Sequence, residues 1–338
     1  MNVLFRIAVD AMGGDNAPKE IIYGINEYCS KFNNIKFIIY GNRNRILKFL
    51  KDNDNVQIVH TNEFITNDDE PVRSIRTKKN ASIVLAAKAV RDGNADALFS
   101  LGSTGALLAA SLFIIGRIPG IERPGLMPTM PTINPKCKAF NILDVGANIE
   151  NRPNHLYQYA VMGSVYAKCV RGIKNPRVGL LNNGTEVHKG DEIHKEAYKL
   201  ISSNKDINFI GNIESNNLLR GIADVVVTDG FTGNATLKAI EGTAMVIVES
   251  IKNELLNSGI REKIGAFLAK NSLKKVSSIF DVSSYGGAVL LGINAPVIKS
   301  HGSSNSKTVF YTIKQIDNML SNKIIEKVID YFNKYNIK

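Results

Sequence analysis

The stretch VVVTDGFTGNATLKAIEG, residues 225–242, joins a short apolar run to a helical pattern through a turn of small polar residues. The three valines predict a buried strand, and the apolar spacing over 235–240 predicts a helix directly after the turn. The turn itself, TDGFTGN (228–234), contains no Cys, His or Ser that could act as a nucleophile. Backbone N–H groups and the Asp, Thr and Asn side chains are the chemical groups that it offers.

A second stretch in the first half of the chain repeats this pattern. ADALFSLGSTGA (95–106) aligns without gaps with ADVVVTDGFTGN (223–234), and both give a strand, then Gly-x-Thr-Gly, then a helix. Two related turns, one in each half, predict pseudo-symmetric halves that face one cleft. The alternative is that strand-to-helix turns simply look alike.

Short apolar runs alternate with helical patterns along almost the whole chain. This alternation predicts a three-layer, Rossmann-like α/β/α sandwich with a mostly parallel sheet. No linker or low-complexity segment interrupts the pattern, so residues 1–338 are expected to form a single α/β domain. The predicted strands are 5–11, 36–41, 56–60, 95–100, 138–146, 177–182, 207–211 and 223–230, and the predicted helices are 80–92, 104–116, 153–171, 189–202 and 231–256.

Residues 245–285 differ because they are helical in pattern without an intervening strand. Gly259 is a break, so we expect a protruding pair of helices joined near 257–260. The apolar faces of this pair fit a homodimer interface or a membrane-touching tip, and both can hold. The apolar positions at helical spacing are Ile251, Leu255, Ile260, Ile264, Phe267 and Leu268.

The overall charge favours acidic partners. The chain carries 42 Lys+Arg against 31 Asp+Glu, a formal net charge of +11. This excess suits an anionic substrate, an acidic protein or an anionic membrane surface. Codon bias is the alternative, since Lys, Asn and Ile are abundant and Trp is absent. No motif for nucleic-acid binding accompanies the charge.

Cysteine spacing and apolar runs indicate a cytosolic protein. Cys29, Cys137 and Cys169 form no CxxC motif and no cluster with metal-ligand spacing, so reduced structural thiols are expected. The first ten residues are interrupted by Arg6 and Asp10, which argues against a signal peptide. The longest apolar run, 105–116, is too short to span a bilayer.

Six segments end a predicted strand in Gly, Ser, Thr, Asn or Asp: 10–18, 101–106, 144–148, 180–190, 228–234 and 299–304. Strand ends of a parallel sheet share one edge, and ligands bind in the crevice beside it. Glycine lets N–H groups approach an oxyanion, so the segments predict a site for phosphate or another compact anion. The candidate binding residues are Asp10, Gly13, Gly14, Asp15, Gly102, Ser103, Thr104, Gly105, Asn148, Asn183, Gly184, Asp229, Gly230, Thr232, Gly233 and His301.

Cofactor motifs are missing from these segments. GGDNAP follows the first strand where a dinucleotide fingerprint would have G-x-G-x-x-G, and no GxxxxGK[ST] loop occurs. We expect no metal here, because the acids are only loosely paired and each is better placed to cap a turn or to orient a backbone. These acids are Asp10, Asp15, Asp144 and Asp229.

Lys189 and Asn234 are the candidate catalytic side chains. Lys189 follows LLNNGTE at the opening of a helix, and Asn234 takes the position that Ala106 fills in the repeated pattern. Together they would supply a cation and an amide donor to one anion site. A solvated lysine and a helix cap are the alternatives. His188 would need an acid partner to act as a base, and His301 either lines the pocket or caps its turn.

At these residues the sequence resembles the PlsX family, the acyl-carrier-protein:phosphate acyltransferases of bacterial phospholipid synthesis. DAMGGD followed by TDGFTGN is a specific signature, and the similarity covers nearly the whole chain. The segments that carry it are IAVDAMGGDNAP (7–18), SLGSTGALLA (100–109), RP (123–124), DVGAN (144–148), LLNNGTEVHKG (180–190), TDGFTGNATLKAIEG (228–242) and GGAVLLGINAPVIKSHGSS (286–304).

The resemblance implies a fold like that of isocitrate dehydrogenase and phosphotransacetylase, a homodimer at the membrane surface, and no cofactor. The implied reaction converts acyl-ACP and inorganic phosphate to acyl phosphate and ACP, which feeds glycerol-3-phosphate acylation. The family's catalytic Lys and Asn match Lys189 and Asn234. Where the family commonly has Asn-Thr-Gly, this chain has Ser103-Thr104-Gly105, so the Ser103 hydroxyl would replace or weaken one contact.

Three other functions compete with this one. A phosphate acetyl- or butyryltransferase would use coenzyme A, a dehydrogenase of the related fold would bind nicotinamide, and a phosphate- or lipid-sensing scaffold would bind its ligand without turnover.

Basic residues provide candidate contacts with ACP or lipid. They are Arg73, Arg76, Lys78 and Lys79 near a predicted helix start, and Lys270, Lys274 and Lys275.

Overall fold

The computed structural model describes residues 4–257, 259–279 and 282–335. The strands are β1 (Phe5–Asp10), β2 (Ile35–Gly41), β3 (Val56–His60), β4 (Ala97–Ser100), β5 (Gly125–Met127), β6 (Thr129–Pro131), β7 (Ala139–Leu143), β8 (Arg177–Leu181), β9 (Asn208–Ile213), β10 (Val225–Val227), β11 (Ala288–Leu291) and β12 (Val297–Lys299). The helices are α1 (Lys19–Cys29), α2 (Arg43–Leu47), α3 (Pro71–Thr77), α4 (Ser82–Arg91), α5 (Thr104–Ala110), α6 (Pro153–Cys169), α7 (Glu192–Ser203), α8 (Gly230–Asn257), α9 (Ile260–Ile279), α10 (Ser306–Ser321) and α11 (Ile324–Tyr335).

The described strands form two sheets. The first has the order β3-β2-β1-β4-β12-β11-β5, and the second has the order β6-β7-β10-β8-β9. Only the pairs β11–β12, β11–β5 and β6–β7 are antiparallel. The mostly parallel α/β sandwich is therefore confirmed, and its strands are divided between two sheets where the sequence suggested one.

The two stretches that share Gly-x-Thr-Gly occupy equivalent positions. β4 lies between β1 and β12 in the first sheet, and β10 lies between β7 and β8 in the second, all four pairs being parallel. α5 begins four residues after the last residue of β4, and α8 begins three residues after the last residue of β10. Each sheet thus carries one of the two turns near its centre.

The core covers both faces of the first sheet. Ile7 and Val9 of β1 pack in one hydrophobic cluster, whereas Ala8 between them packs in the other. All three side chains are fully buried. Strands that are apolar at every position are typical of parallel sheets with helices on both faces, and each fully buried Ile or Val contributes roughly 1.5–3 kcal/mol.

A short crossing segment joins the two sheets. β5 belongs to the first sheet and β6 to the second, and only Pro128 separates them. The backbone N–H of Leu126 donates to the Asp144 carboxyl (2.9 Å), and the N–H of Ile142 donates to the Pro128 carbonyl (3.3 Å). These bonds fix the end of β7 against the edge of the first sheet.

α8 and α9 correspond to the predicted helical pair, with Gly259 between them. Their apolar side chains are largely uncovered within one chain: Phe267 is 75% and Leu268 is 78% exposed. The side chains of Ile260, Lys274 and Lys275, named above, lie outside those that the structure describes. Within the described ranges, no helix is long and apolar enough to cross a bilayer.

Candidate active site

The six polar turns form two groups of three. Turns 10–18, 101–106 and 299–304 follow β1, β4 and β12 of the first sheet, and turns 144–148, 180–190 and 228–234 follow β7, β8 and β10 of the second. Each strand of a group is parallel to a neighbour in the same group. All the turns therefore lie at carboxyl ends, where ligands of open α/β sheets bind.

A buried carboxyl group organises the first group. The Asp10 side chain accepts hydrogen bonds from the hydroxyls of Ser82 (2.6 Å) and Ser100 (2.7 Å) and from the N–H of Met12 (3.2 Å). Burial nevertheless raises the pKa of Asp10. Because its partners belong to the protein, Asp10 shapes the turns and is not exposed to a ligand.

The glycines above Asp10 are required by close packing. A Cβ on Gly13 would lie 2.6 Å from the Gly102 backbone. Gly14 has φ +103°, and a Cβ there would lie 2.9 Å from Leu101 Cβ. The N–H of Gly102 already donates to the Ser100 hydroxyl (2.9 Å). Backbone packing thus explains glycines that the sequence interpretation assigned to phosphate.

Other polar residues of the first group also bond within their turns. The Ser103 hydroxyl accepts a long hydrogen bond from the N–H of Ala106 (3.4 Å) and so caps α5. His301 Nδ1 accepts from the N–H of Ser303 (3.3 Å). The N–H of Asp15 donates to the Gly302 carbonyl (2.9 Å). These bonds favour the capping alternative for His301.

Lys299 is a residue of this group that the sequence interpretation overlooked. It ends β12, in register with Ser100 of β4, and its Nζ donates to the carbonyls of Leu101 (3.2 Å) and Ser300. Burial lowers the pKa of Lys299 to about 8. Lys299 is the first residue of the segment KSHGSS, so the sequence offered it as a candidate. A lysine at a strand end is usually solvent-exposed, however, and for that reason it was not selected.

Asp144 plays the corresponding part in the second group. Its carboxyl accepts from the N–H groups of Gly146 (3.1 Å) and Ala147 (2.9 Å), besides that of Leu126. Both the N–H and the side-chain amide of Asn148 donate to it as well, at 2.9 and 3.0 Å. Burial raises the pKa of Asp144. Because the Asp144 carboxyl accepts hydrogen bonds from the N–H groups of its own turn, it holds that turn in a closed conformation.

The side-chain amide of Asn148 makes hydrogen bonds within the protein that the sequence interpretation did not anticipate. Its amide also donates to the Pro124 carbonyl and to the Tyr159 hydroxyl (2.6 and 2.8 Å). Since the amide nitrogen already faces several acceptors, Asn148 is a structural residue of the turn rather than an open donor. Asn183 and Thr232, by contrast, have exposed side chains.

The turn TDGFTGN (228–234) packs against the Asp144 turn. The Asp229 carboxyl accepts from the N–H of Thr232 (2.8 Å) and caps α8. Gly233 faces the Asp144 carbonyl and Gly230 faces the Asn148 carbonyl, both too closely for any side chain. The expectation that these acids cap turns is confirmed for Asp10, Asp144 and Asp229. Among the described residues, no His, Cys, Asp and Glu side chains group to hold a metal ion.

Gly233→Ala should destabilise the protein by about 1–3 kcal/mol through overpacking. The added Cβ would strike the Asp144 carbonyl and lie 2.7 Å from Thr228 Cγ2, which outweighs the gain of up to about 1 kcal/mol in helix propensity. Gly242→Ala in the same helix is the control, since nothing lies within 4 Å of its Cβ position. Chemical denaturation measures both, and a Gly233→Ala variant as stable as Gly242→Ala would contradict the close packing.

Asn234 lies one turn inside α8, beyond the capping residue Asp229. Its side chain passes Gly146, with Cγ 3.5 Å and Nδ2 3.7 Å from the position of a Cβ there. The residue is half-buried, and within the described part of the chain no group hydrogen-bonds to its amide. The helix-cap alternative for Asn234 is therefore wrong, and its amide remains open to a ligand.

Lys189 sits on a loop that is closed by two asparagines. Asn182 donates its amide to the Lys189 carbonyl (3.1 Å), and Asn212 donates to the Glu186 carbonyl (2.8 Å). The lysine stem lies along Gly184, with Cγ 2.9 Å from a Cβ position there. In the residues described, no acceptor or acid lies in contact with Lys189 Nζ. α7 begins three residues after Lys189.

His194 joins the loop of Lys189 to the turn of Asn234, and sequence reasoning missed it. Its Nδ1 lies 2.7 Å from Asp191 Oδ1, and its Nε2 lies 3.9 Å from Asp229 Oδ2. His188, which the sequence offered as a possible base, is exposed and has no acid partner among the described side chains.

The fold is that of a phosphotransacetylase-like α/β protein. A phosphotransacetylase from Streptococcus pyogenes superposes with a TM-score of 0.60 at 18% identity, over 95% of this chain and 94% of that one. A branched-chain phosphotransacylase from Enterococcus faecalis gives 0.55 at 14%, over 94% and 99%. At such identities the likeness shows the fold alone.

The chain belongs to the family described as fatty acid synthesis protein, which matches residues 5–327. This confirms the resemblance stated from the sequence. A phosphate acyltransferase of Latilactobacillus sakei is 59% identical over 328 residues, covering 97% of both chains. One of Lacticaseibacillus casei is 56% identical, covering 97% of this chain and 96% of its own length.

Proposed function

We propose that the protein is a phosphate acyltransferase that converts a fatty acyl-ACP and inorganic phosphate to an acyl phosphate and free ACP. The observation that carries the proposal is that, among the described residues, neither Lys189 Nζ nor the Asn234 amide has a partner, although the two residues lie on neighbouring polar turns. The shared name of the relatives supports the same reaction class.

The proposed chemistry needs no nucleophile from the protein. A phosphate oxygen attacks the thioester carbonyl, the C–S bond breaks, and the electron pair leaves on sulfur. The proton of hydrogen phosphate ends on the thiolate, so atoms and charges balance. The protein holds phosphate against the carbonyl and stabilises the tetrahedral oxyanion. In our proposal Lys189 orients phosphate and Asn234 donates to the oxyanion.

A basic surface beside the turns supports an acidic carrier protein as the donor. Arg73 and Arg76 lie on α3, whose Pro71 ring packs against Gly105 in the first turn of α5. The Arg76 guanidinium lies 5.6 Å from the centre of the Phe113 ring, which is 58% exposed. Lys78 is less available, since it pairs with Asp69 (2.7 Å).

We further propose that the protein works as a homodimer in contact with an anionic membrane. The uncovered apolar side chains of α8 and α9 support both contacts, and residues 1–338 would act as one domain with 245–285 as its projecting pair. An acyl phosphate is an activated donor, so the consuming reaction is an acyl transfer to a hydroxyl, as a glycerol-3-phosphate acyltransferase performs. The proposed location of the present protein is the cytoplasmic face of the membrane.

Thiol release from palmitoyl-ACP, with and without inorganic phosphate, tests the proposal, and acetyl-CoA is the parallel donor. We expect phosphate-dependent release from palmitoyl-ACP alone. Release from acetyl-CoA alone would assign the protein to the short-chain phosphate acetyl- and butyryltransferases. Phosphate binding without release from either donor would indicate a sensing scaffold.

A further inference from the structure

His194 lies between two carboxyl groups that cap two helices. Asp191 precedes α7 and accepts from both the N–H and Nδ1 of His194, at 2.8 and 2.7 Å. Asp229 precedes α8 and accepts from the N–H of Thr232, and its Oδ2 lies 3.9 Å from His194 Nε2. The imidazole is only 14% exposed, so its position between the two caps is enclosed.

The two capping residues lie close in sequence to the proposed catalytic residues Lys189 and Asn234. Asp191 comes two residues after Lys189, and Asp229 comes five residues before Asn234. A Cβ position at Gly190 lies 2.8 Å from His194 Cβ, so the loop end packs directly on this histidine. The distance between Lys189 and Asn234 therefore depends on the link formed by the side chains of Asp191, His194 and Asp229.

We infer that His194 is a positioning residue that ties the loop of Lys189 to the turn of Asn234, an inference that rests on the proposed function. With Nδ1–H donated to Asp191, protonation of Nε2 gives Asp229 an attractive partner. In the neutral ring the Nε2 lone pair faces the Asp229 carboxyl instead. The link thus holds best when the imidazole is charged.

Other charged groups flank this link in the sequence. Glu192 and Lys195 of α7 pair with one another at 2.9 Å, and Glu186, His188 and Lys189 lie on the preceding loop. Hydrogen bonds and the charge of His194 hold the pKa of Asp191 below its usual range, although burial alone would raise it. Asp191 is therefore a carboxylate at neutral pH and remains an acceptor for the ring.

The first experiment compares kcat and KM of wild type, His194→Gln and His194→Ala, with Lys195→Ala as the control on the same helix. We expect about a tenfold fall in kcat for both histidine variants with little change in KM, a loss smaller than the ~10²–10³ for removing an oxyanion donor itself. An unchanged kcat, or a fall seen equally in Lys195→Ala, would overturn the inference.

A second measurement does not depend on turnover. His194→Gln and Asp229→Asn are combined, because asparagine still caps a helix while the charge is lost. The double variant should lower the melting temperature by less than the sum of the two single shifts. Strict additivity overturns the link. If wild-type protein showed no phosphate-dependent thiol release, the proposed function would be overturned instead. The proposed role of His194 in turnover would then be overturned as well.

Discussion

Asn234→Ala should lower kcat for phosphate-dependent thiol release about 10²–10³-fold, the usual cost of losing one oxyanion donor. The Asn234 amide has no partner among the described residues and lies against Gly146, so its truncation breaks no hydrogen bond of the folded protein. The loss should appear in kcat rather than in KM, because the oxyanion exists only in the transition state. Steady-state kinetics with palmitoyl-ACP measure it.

Asn333→Ala is the control, since Asn333 is an exposed asparagine on α11, away from the polar turns. We expect it to keep wild-type kinetics and a wild-type melting temperature. Near-normal phosphorolysis by Asn234→Ala would remove Asn234 from the chemistry. A large fall in the melting temperature of that variant would instead show that its amide supports the fold.

Lys189→Met should raise the KM for phosphate and lower kcat, together reducing kcat/KM for phosphate roughly 10²-fold or more. Methionine keeps the apolar stem that packs on Gly184 and removes only the charge. Since Lys189 Nζ contacts no acid among the described residues, a lost ion pair cannot account for the effect. Varying phosphate at saturating acyl donor separates the two constants.

Lys199→Met provides the control for general charge effects, because Lys199 is exposed on α7. Equal losses in the two variants would point to the net positive field rather than to a contact with phosphate. If Lys189→Met changed the KM for acyl-ACP and left the KM for phosphate unchanged, Lys189 would belong to the carrier contact and not to the phosphate site.

The sequence predicted β1 to β4 and β7 to β10 because each lies in an apolar run next to a clear turn or helical pattern. It missed β5, β6, β11 and β12, which have only three or four residues each. A run such as Thr129–Pro131 is too short to show a period, and proline argues against a strand interior. The division into two sheets also lay beyond the sequence, because strand order is decided by tertiary pairing.

The site was predictable where residue type alone limits the chemistry. Lys189 and Asn234 stood out as a cation and an amide in turns of small residues, and their roles stay predictions. Asn148 looked equally open, since nothing in DVGAN reveals that the Asp144 carboxyl folds back onto its own turn. His194 was hidden inside a predicted helix, where a histidine usually faces solvent.

The inward-facing carboxyls of Asp10 and Asp144 bear on how the protein behaves when its substrates run out. Since each turn is held by its own acid, an empty site should keep the shape of a filled one. A bound ligand then adds only the stabilisation of mass action, about 2.7 kcal/mol at a concentration one hundred times its Kd. A thermal-shift screen would therefore report ligand occupancy alone and not a change in the shape of the site.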